Sequence, residues 1–92
     1  SRAVSTEVYP VQARVIFYAP IEVIAKRVPP SAAQLEALDA ESCLMRTGAR
    51  RTGFLAMHLA NVGVEFEVLE PPELVEEVRK MAGRLARAAR CA

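Results

Sequence analysis

Few side chains in this sequence are suited to catalysis, and those few stand apart. His58 is the only histidine, and no cysteine or carboxylate accompanies it at the spacing of a metal site. It shares the apolar stripe of a predicted helix with Leu55 and Leu59, where a histidine is more often a packed or edge side chain than a ligand or a base. Cys43 lies within a predicted strand with no base near it in sequence, which favours an inert core thiol. We therefore expect no catalytic residue, no metal ligand and no cofactor.

Glu65 and Glu67 are the other candidate pair for acid–base chemistry. Their spacing places them on one side of a strand whose opposite side carries Val64, Phe66 and Val68. General acid–base catalysis needs such groups within reach of a bound substrate. Two carboxylates along a wet strand face are more typical of a solvated edge.

Three arginines are the side chains best suited to binding a ligand. Arg46, Arg50 and Arg51 surround one predicted loop that immediately precedes a helix. The free N–H groups at a helix N-terminus also favour anions, so a contact with phosphate or nucleic acid is chemically feasible. Arginines beside a loop also simply keep a surface soluble, and the sequence leaves both interpretations open.

The first element of the predicted fold is a strand at residues 11–18. Alternate residues from Val11 to Ala19 are apolar and indicate a side that faces the core. The other side carries Ile16 and Tyr18 among polar residues, so these two are candidate interface residues. Single apolar residues are also common on any protein surface.

Prolines and a glycine divide the rest of the chain. Pro20 favours the start of a short helix, which a later Pro-Pro pair ends because proline cannot continue the helical ladder. A second helix has Thr52 as its predicted N-cap and Gly63 as the left-handed residue that ends it. The Glu-Pro-Pro-Glu sequence at 70–73 introduces a last helix, predicted over 73–90.

Three further segments are predicted to complete a sheet. Residues 64–69 alternate between apolar and polar side chains, which is typical of a half-buried strand, and residues 42–47 also favour a strand. Residues 32–39 have a helical composition, but their place in the order favours a strand that pairs with 42–47. We expect a loop at 48–51.

This order of elements predicts an α+β fold. Strand, helix, strand, strand, helix, strand and helix indicate a ferredoxin-like βαββαβ sandwich, a four-stranded antiparallel sheet with two helices on one face, plus an additional C-terminal helix.

Length and composition limit the domain organisation. The 92 residues are 52% hydrophobic with a net charge of +1, which suits one globular domain and provides no general attraction for nucleic acid. Two cysteines are too few for a disulfide scaffold, and no apolar run is long enough to span a membrane, so we expect a cytoplasmic protein. We interpret residues 1–9 as a linker from a missing upstream domain and residues 10–92 as the domain itself.

Two segments resemble one family of bacterial proteins. Residues 68–78, Val-Leu-Glu-Pro-Pro-Glu-Leu-Val-Glu-Glu-Val, resemble the closing segment of the WCX domain, the C-terminal extension of WYL-type transcriptional regulators. Residues 11–20, Val-Gln-Ala-Arg-Val-Ile-Phe-Tyr-Ala-Pro, resemble the opening strand of that domain. The resemblance covers roughly residues 9–90, and it also favours a strand at 32–39.

The resemblance implies a function. WYL-type regulators place a winged helix-turn-helix domain first, a WYL domain next and this extension last. The family implies that the extension helps to pair two subunits, forming a homodimer through the parent protein, and that it borders the effector site. We therefore expect a regulatory module that helps couple effector sensing to DNA binding, with DNA contacted by the parent.

The predicted fold is compatible with functions other than regulation of transcription. A small-molecule-binding regulatory domain is the main alternative. An acylphosphatase-like enzyme is disfavoured because its glycine-rich anion loop is replaced by Ala-Pro-Ile at 19–21. An RNA-recognition surface is disfavoured because Phe17 and Tyr18 point to opposite faces, which leaves no adjacent pair of stacking rings.

Overall fold

The structure is a computed structural model that describes residues 9–90. Of the predicted linker, residues 1–8 lie outside this range, and so does Cys91. Residues 9–90 form four strands and three helices in the order β1 (Val11–Phe17), α1 (Ile21–Arg27), β2 (Ala33–Asp39), β3 (Ser42–Ala49), α2 (Thr52–Asn61), β4 (Phe66–Glu70) and α3 (Pro72–Ala88).

The strands form one sheet with the order β2-β3-β1-β4, in which every neighbouring pair is antiparallel. The predicted α+β class and four-stranded antiparallel sheet are therefore confirmed. Since β1 and β2 both run antiparallel to β3, they are parallel to each other, and α1 connects them. In the same way, α2 connects the parallel strands β3 and β4.

The core lies between one face of the sheet and the helices. Val15 and Phe17 of β1 are fully buried, as are Ile24 of α1, Leu59 of α2 and Leu74 of α3. These residues belong to a single hydrophobic cluster, so all three helices of residues 9–90 pack on the same face. The opposite face carries the alternate side chains of the strands, and no helix within the described part of the chain covers it.

The ambiguous segment at 32–39 is a strand. Its composition favours a helix, but pairing with β3 and the partial burial of Ala33 and Leu35 against the core outweigh that preference. At the β2–β3 turn, one Asp39 carboxylate oxygen accepts hydrogen bonds from the Glu41 backbone N–H at 2.8 Å and from the Ser42 hydroxyl at 2.9 Å. These bonds lower the pKa of Asp39 because they favour its ionised form.

Two predictions about the start of α2 are wrong. The loop expected at 48–51 is shorter, because Gly48 and Ala49 continue β3 and pair with β1. Thr52 is not the N-cap, since the extended residue Arg51 holds that position and no side chain caps the helix. At the other end, Gly63 has a φ of 87°, so its predicted left-handed conformation is confirmed.

The C-terminal elements are shifted slightly from their predicted bounds. β4 begins at Phe66 instead of residue 64, and it continues to Glu70 because Glu70 pairs with Arg14 of β1. The last helix covers Pro72–Ala88 in place of 73–90, with Pro71 in the N-cap position. None of the helices in residues 9–90 combines the length and hydrophobicity needed to cross a bilayer.

Candidate functional site

Two surfaces hold the residues that the sequence singled out. The first, here called the open sheet face, is the side of the sheet opposite the helices. It includes Arg14, Ile16, Tyr18, Glu36, Leu44, Arg46, Glu67 and Glu70.

The centre of the open sheet face is apolar. Ile16 of β1 pairs with Leu44 of β3, and these are the two central strands. Leu44 is buried although it lies on the side of β3 opposite the core residues Cys43 and Met45. Ile16 is partly exposed, and Tyr18 beside it is 51% exposed. The two predicted interface residues therefore share one uncovered surface of the described chain.

Paired charges surround this centre. Arg14 Nη1 lies 3.2 Å from Glu70 Oε2, and Arg46 Nη1 lies 4.0 Å from Glu36 Oε1. Because Arg14 and Arg46 stand opposite each other in the sheet, each pairs with a glutamate on the nearer edge strand, away from the other arginine.

Tyr18 also has a polar partner on this face. Its hydroxyl donates a 2.6 Å hydrogen bond to Glu67 Oε1. This bond raises the pKa of Tyr18, since it favours the protonated phenol. Tyr18 therefore presents a ring whose polar end is already satisfied within the chain.

The second surface is a cleft of about 560 Å³ between α2 and the end of β3, here called the helix–sheet cleft. Met45, Leu55 and Leu59 form its apolar floor. Its polar and aromatic lining includes Arg27, Arg50, Arg51, Tyr9, Phe54 and His58.

The structure brings together only part of the predicted arginine cluster. Arg50 and Arg51 both line the helix–sheet cleft, whereas Arg46 lies on the open sheet face. The reason is strand alternation, because the side chain of Arg46 points to the face opposite the helices. Sequence reasoning missed Arg27, whose Nη1 donates a 2.8 Å hydrogen bond to the Val62 carbonyl. No spacing in the sequence indicated that the end of α1 lies beside the end of α2.

His58 is an exposed residue at the edge of the cleft. Its ring meets Phe54 edge-on, with 4.4 Å between ring centroids and an interplanar angle of 81°. Phe54 is 51% exposed, so this pair forms an aromatic rim above the apolar floor.

The remaining candidates for chemistry have structural surroundings. Cys43 is fully buried, and burial raises the pKa of its thiol because a thiolate would be poorly solvated there. Glu67 is bonded to Tyr18 on the open sheet face. Within residues 9–90, no three His, Cys, Asp or Glu side chains are grouped so that they could hold a metal ion.

Comparison with known proteins identifies the family. Residues 9–86 match the family described as the WCX domain, which covers most of the chain and includes both segments that carried the resemblance. No solved structure matches the chain. With the match running from the residues before β1 to the last turn of α3, this chain belongs to the WCX domain family.

Proposed function

We propose that this chain is the non-catalytic C-terminal regulatory and dimerisation module of a WYL-type, helix-turn-helix transcriptional regulator. Membership of the WCX family is the observation that carries the proposal. In the proposed cytoplasmic parent protein, a winged helix-turn-helix domain contacts DNA and a WYL domain senses an effector. This module helps to couple the two events. Coupling requires that effector and operator each favour one of two arrangements of the dimer.

The open sheet face supports the dimerisation part of the proposal. Interfaces commonly have an apolar centre within a polar rim. Ile16 and the half-exposed ring of Tyr18 supply apolar surface for such a centre, and the rim charges Arg14 and Arg46 are each already paired within the chain. A second copy can therefore cover these two arginines without burying an unpaired positive charge.

The size of the face sets the expected strength of the contact. Four strands of about seven residues present roughly 400 Å² per partner at ordinary strand dimensions. A standard interface buries about 800 Å² per partner. We therefore expect weak pairing of the isolated domain and firm pairing only where the rest of the parent adds contacts.

Two matched variants test this surface. Tyr18 and Phe54 are both aromatic and both 51% exposed, but Tyr18 lies on the open sheet face and Phe54 lies at the cleft. In sedimentation experiments up to millimolar concentration, the chain should self-associate. Tyr18→Arg should abolish association and Phe54→Arg should leave it unchanged. A monomer at all concentrations, in both this chain and the parent, would rule out the dimerisation role, and so would equal effects of the two variants.

The regulatory context has an independent test in the gene. The reading frame that encodes this chain should also encode a winged helix-turn-helix and a Trp-Tyr-Leu motif upstream of it. Their absence from that frame would refute the proposed parent architecture.

We also propose that the fold is the ferredoxin-like arrangement. Two features support this assignment. The chain order is βαββαβ followed by a helix, and each helical crossover joins parallel strands that have another strand between them.

The proposal that the chain is not an enzyme rests on the structural contacts of its potentially reactive side chains. Cys43 is a buried thiol with a raised pKa, which disfavours a nucleophilic thiolate. Glu67 accepts a hydrogen bond from the Tyr18 hydroxyl, and His58 contacts the Phe54 ring at the surface. Each group has a structural contact in place of a catalytic partner.

A second candidate function is small-molecule binding by the domain itself. The observation that favours it is the helix–sheet cleft, whose volume of about 560 Å³ lies within the usual range of ligand pockets. A thermal-shift screen of the chain against small molecules tests it. A ligand that binds the domain alone should raise its melting temperature, whereas a screen without stabilising compounds would refute this candidate.

A further inference from the structure

The helix–sheet cleft differs from the rest of the surface in its charge. Among the residues that the structure describes, its lining includes Arg27, Arg50 and Arg51 but no aspartate or glutamate. The cleft is therefore cationic although the whole chain is nearly neutral. Such a cleft attracts anions and disfavours cations.

The arginines of the cleft also lack the carboxylate partners that four other arginines of the described chain have. Arginines elsewhere in residues 9–90 that lie within 4.0 Å of a glutamate are Arg14, Arg46, Arg79 and Arg84. Within the same described residues, none of the three cleft arginines has a carboxylate within that distance. Arg27 donates to a backbone carbonyl, and Arg50 lies over the Tyr9 ring at 6.0 Å. Their guanidinium groups keep donors for a further acceptor.

The cations lie at the two ends of α2. Arg51 is the N-cap residue of the helix, and Arg27 contacts Val62 immediately after its last turn. Ten residues of helix span about 15 Å. Between these ends lies the apolar floor of Leu55, Leu59 and Met45. The end with Arg50 and Arg51 has two arginines that are consecutive in the chain and both line the cleft, so it is the stronger anion site.

We propose that this cleft binds a small aromatic carboxylate. Its ring lies on Leu55 and Leu59 beside the rim of Phe54 and His58, and its carboxylate lies between Arg50 and Arg51. Rings suit the rim because offset and edge-to-face contacts are favourable there, and a planar carboxylate suits the fork of arginine donors. This inference deepens the second candidate function by naming its ligand class, and it does not depend on dimerisation.

Titration with two probes of the same shape tests the inference. 2-Naphthoate carries the anion, and 2-naphthamide is its neutral counterpart. In amide chemical-shift mapping of the chain, naphthoate should shift residues at the end of β3 and along α2. Its affinity should exceed that of naphthamide by about tenfold, the effect of a charge-assisted contact.

Charge-neutralising variants locate the anion. Arg50→Gln with Arg51→Gln should weaken naphthoate binding about tenfold and leave naphthamide binding unchanged. Arg46→Gln is the matched control, because Arg46 lies on the open sheet face, and it should change neither affinity. The substituted side chains are exposed, and unchanged circular dichroism spectra would verify the fold of each variant.

Three results would overturn the inference. They are the absence of shifts at the cleft, equal affinities for the two probes, and an equal loss of naphthoate affinity in the Arg46 variant. If these occur while the thermal-shift screen finds a stabilising neutral compound, the ligand class is wrong but small-molecule binding by the domain stands.

Discussion

The junction between β4 and α3 yields the sharpest stability prediction. Leu74 lies in the first turn of α3 and is fully buried. Among the described residues of that helix, it is the only one that is buried. Leu74→Ala leaves a cavity in the core and should cost about 3–4 kcal/mol of unfolding free energy. A domain of 92 residues has about 5–14 kcal/mol in total, so the variant should fold with greatly reduced stability. Its melting temperature should fall by about 15–30 °C.

Leu85→Ala is the matched control for this variant. Leu85 is in the same helix but is 59% exposed, so the same substitution should change the unfolding free energy by less than about 0.5 kcal/mol. Urea and thermal unfolding followed by circular dichroism measure both values. Equal losses in the two variants, or a loss below about 1 kcal/mol for Leu74→Ala, would show that α3 is not anchored through its first turn.

Three further predictions concern single positions. Gly63→Ala should destabilise the domain by about 1–2 kcal/mol because an alanine is strained at a φ of 87°, whereas Gly53→Ala should be neutral or stabilising because that helical position has room for a Cβ. Urea unfolding measures both changes, and equal effects would contradict the role of the left-handed conformation. With Cys91 replaced by serine, Cys43 should resist alkylation until the protein unfolds, and rapid alkylation of the folded protein would contradict its burial. The free energy of unfolding should also fall as pH rises past the ordinary thiol range, because the pKa of Cys43 is raised in the folded state. Asp39 should titrate below the usual aspartate range in NMR, and the stability that it adds should be lost as pH falls through its lowered pKa. An aspartate titration in the usual range would contradict the hydrogen bonds of Asp39 in the β2–β3 turn.

The sequence predicted the fold where one periodicity dominated. The alternation from Val11 to Phe17 and the proline-marked start of α3 predicted elements that the structure contains, with bounds that differ by a residue or two. The N-cap of α2 was wrongly predicted at Thr52, because the prediction rested on the threonine hydroxyl, whereas the folded chain has Arg51 at that position and no side-chain cap. Helix propensity at 32–39 was outweighed by pairing with β3.

The candidate surfaces were less predictable than the elements. Ile16 and Tyr18 could be assigned to one face by counting along a single strand. The sequence could not show that Arg27 lines the same cleft as Arg50 and Arg51. Its hydrogen bond to the Val62 carbonyl depends on how α1 and α2 lie on the sheet.

The position of β4 beside β1 has a consequence for how the domain is made. The ion pair between Arg14 and Glu70 joins residues 56 positions apart, so the first strand of the described domain borders its last strand. A nascent chain that stops before Phe66 has β1 exposed along one edge and lacks Leu74 in its core. Such distant pairing slows folding, because a long loop must close before the contact forms. We therefore expect the domain to reach its native state in a single late step, once α3 has been synthesised.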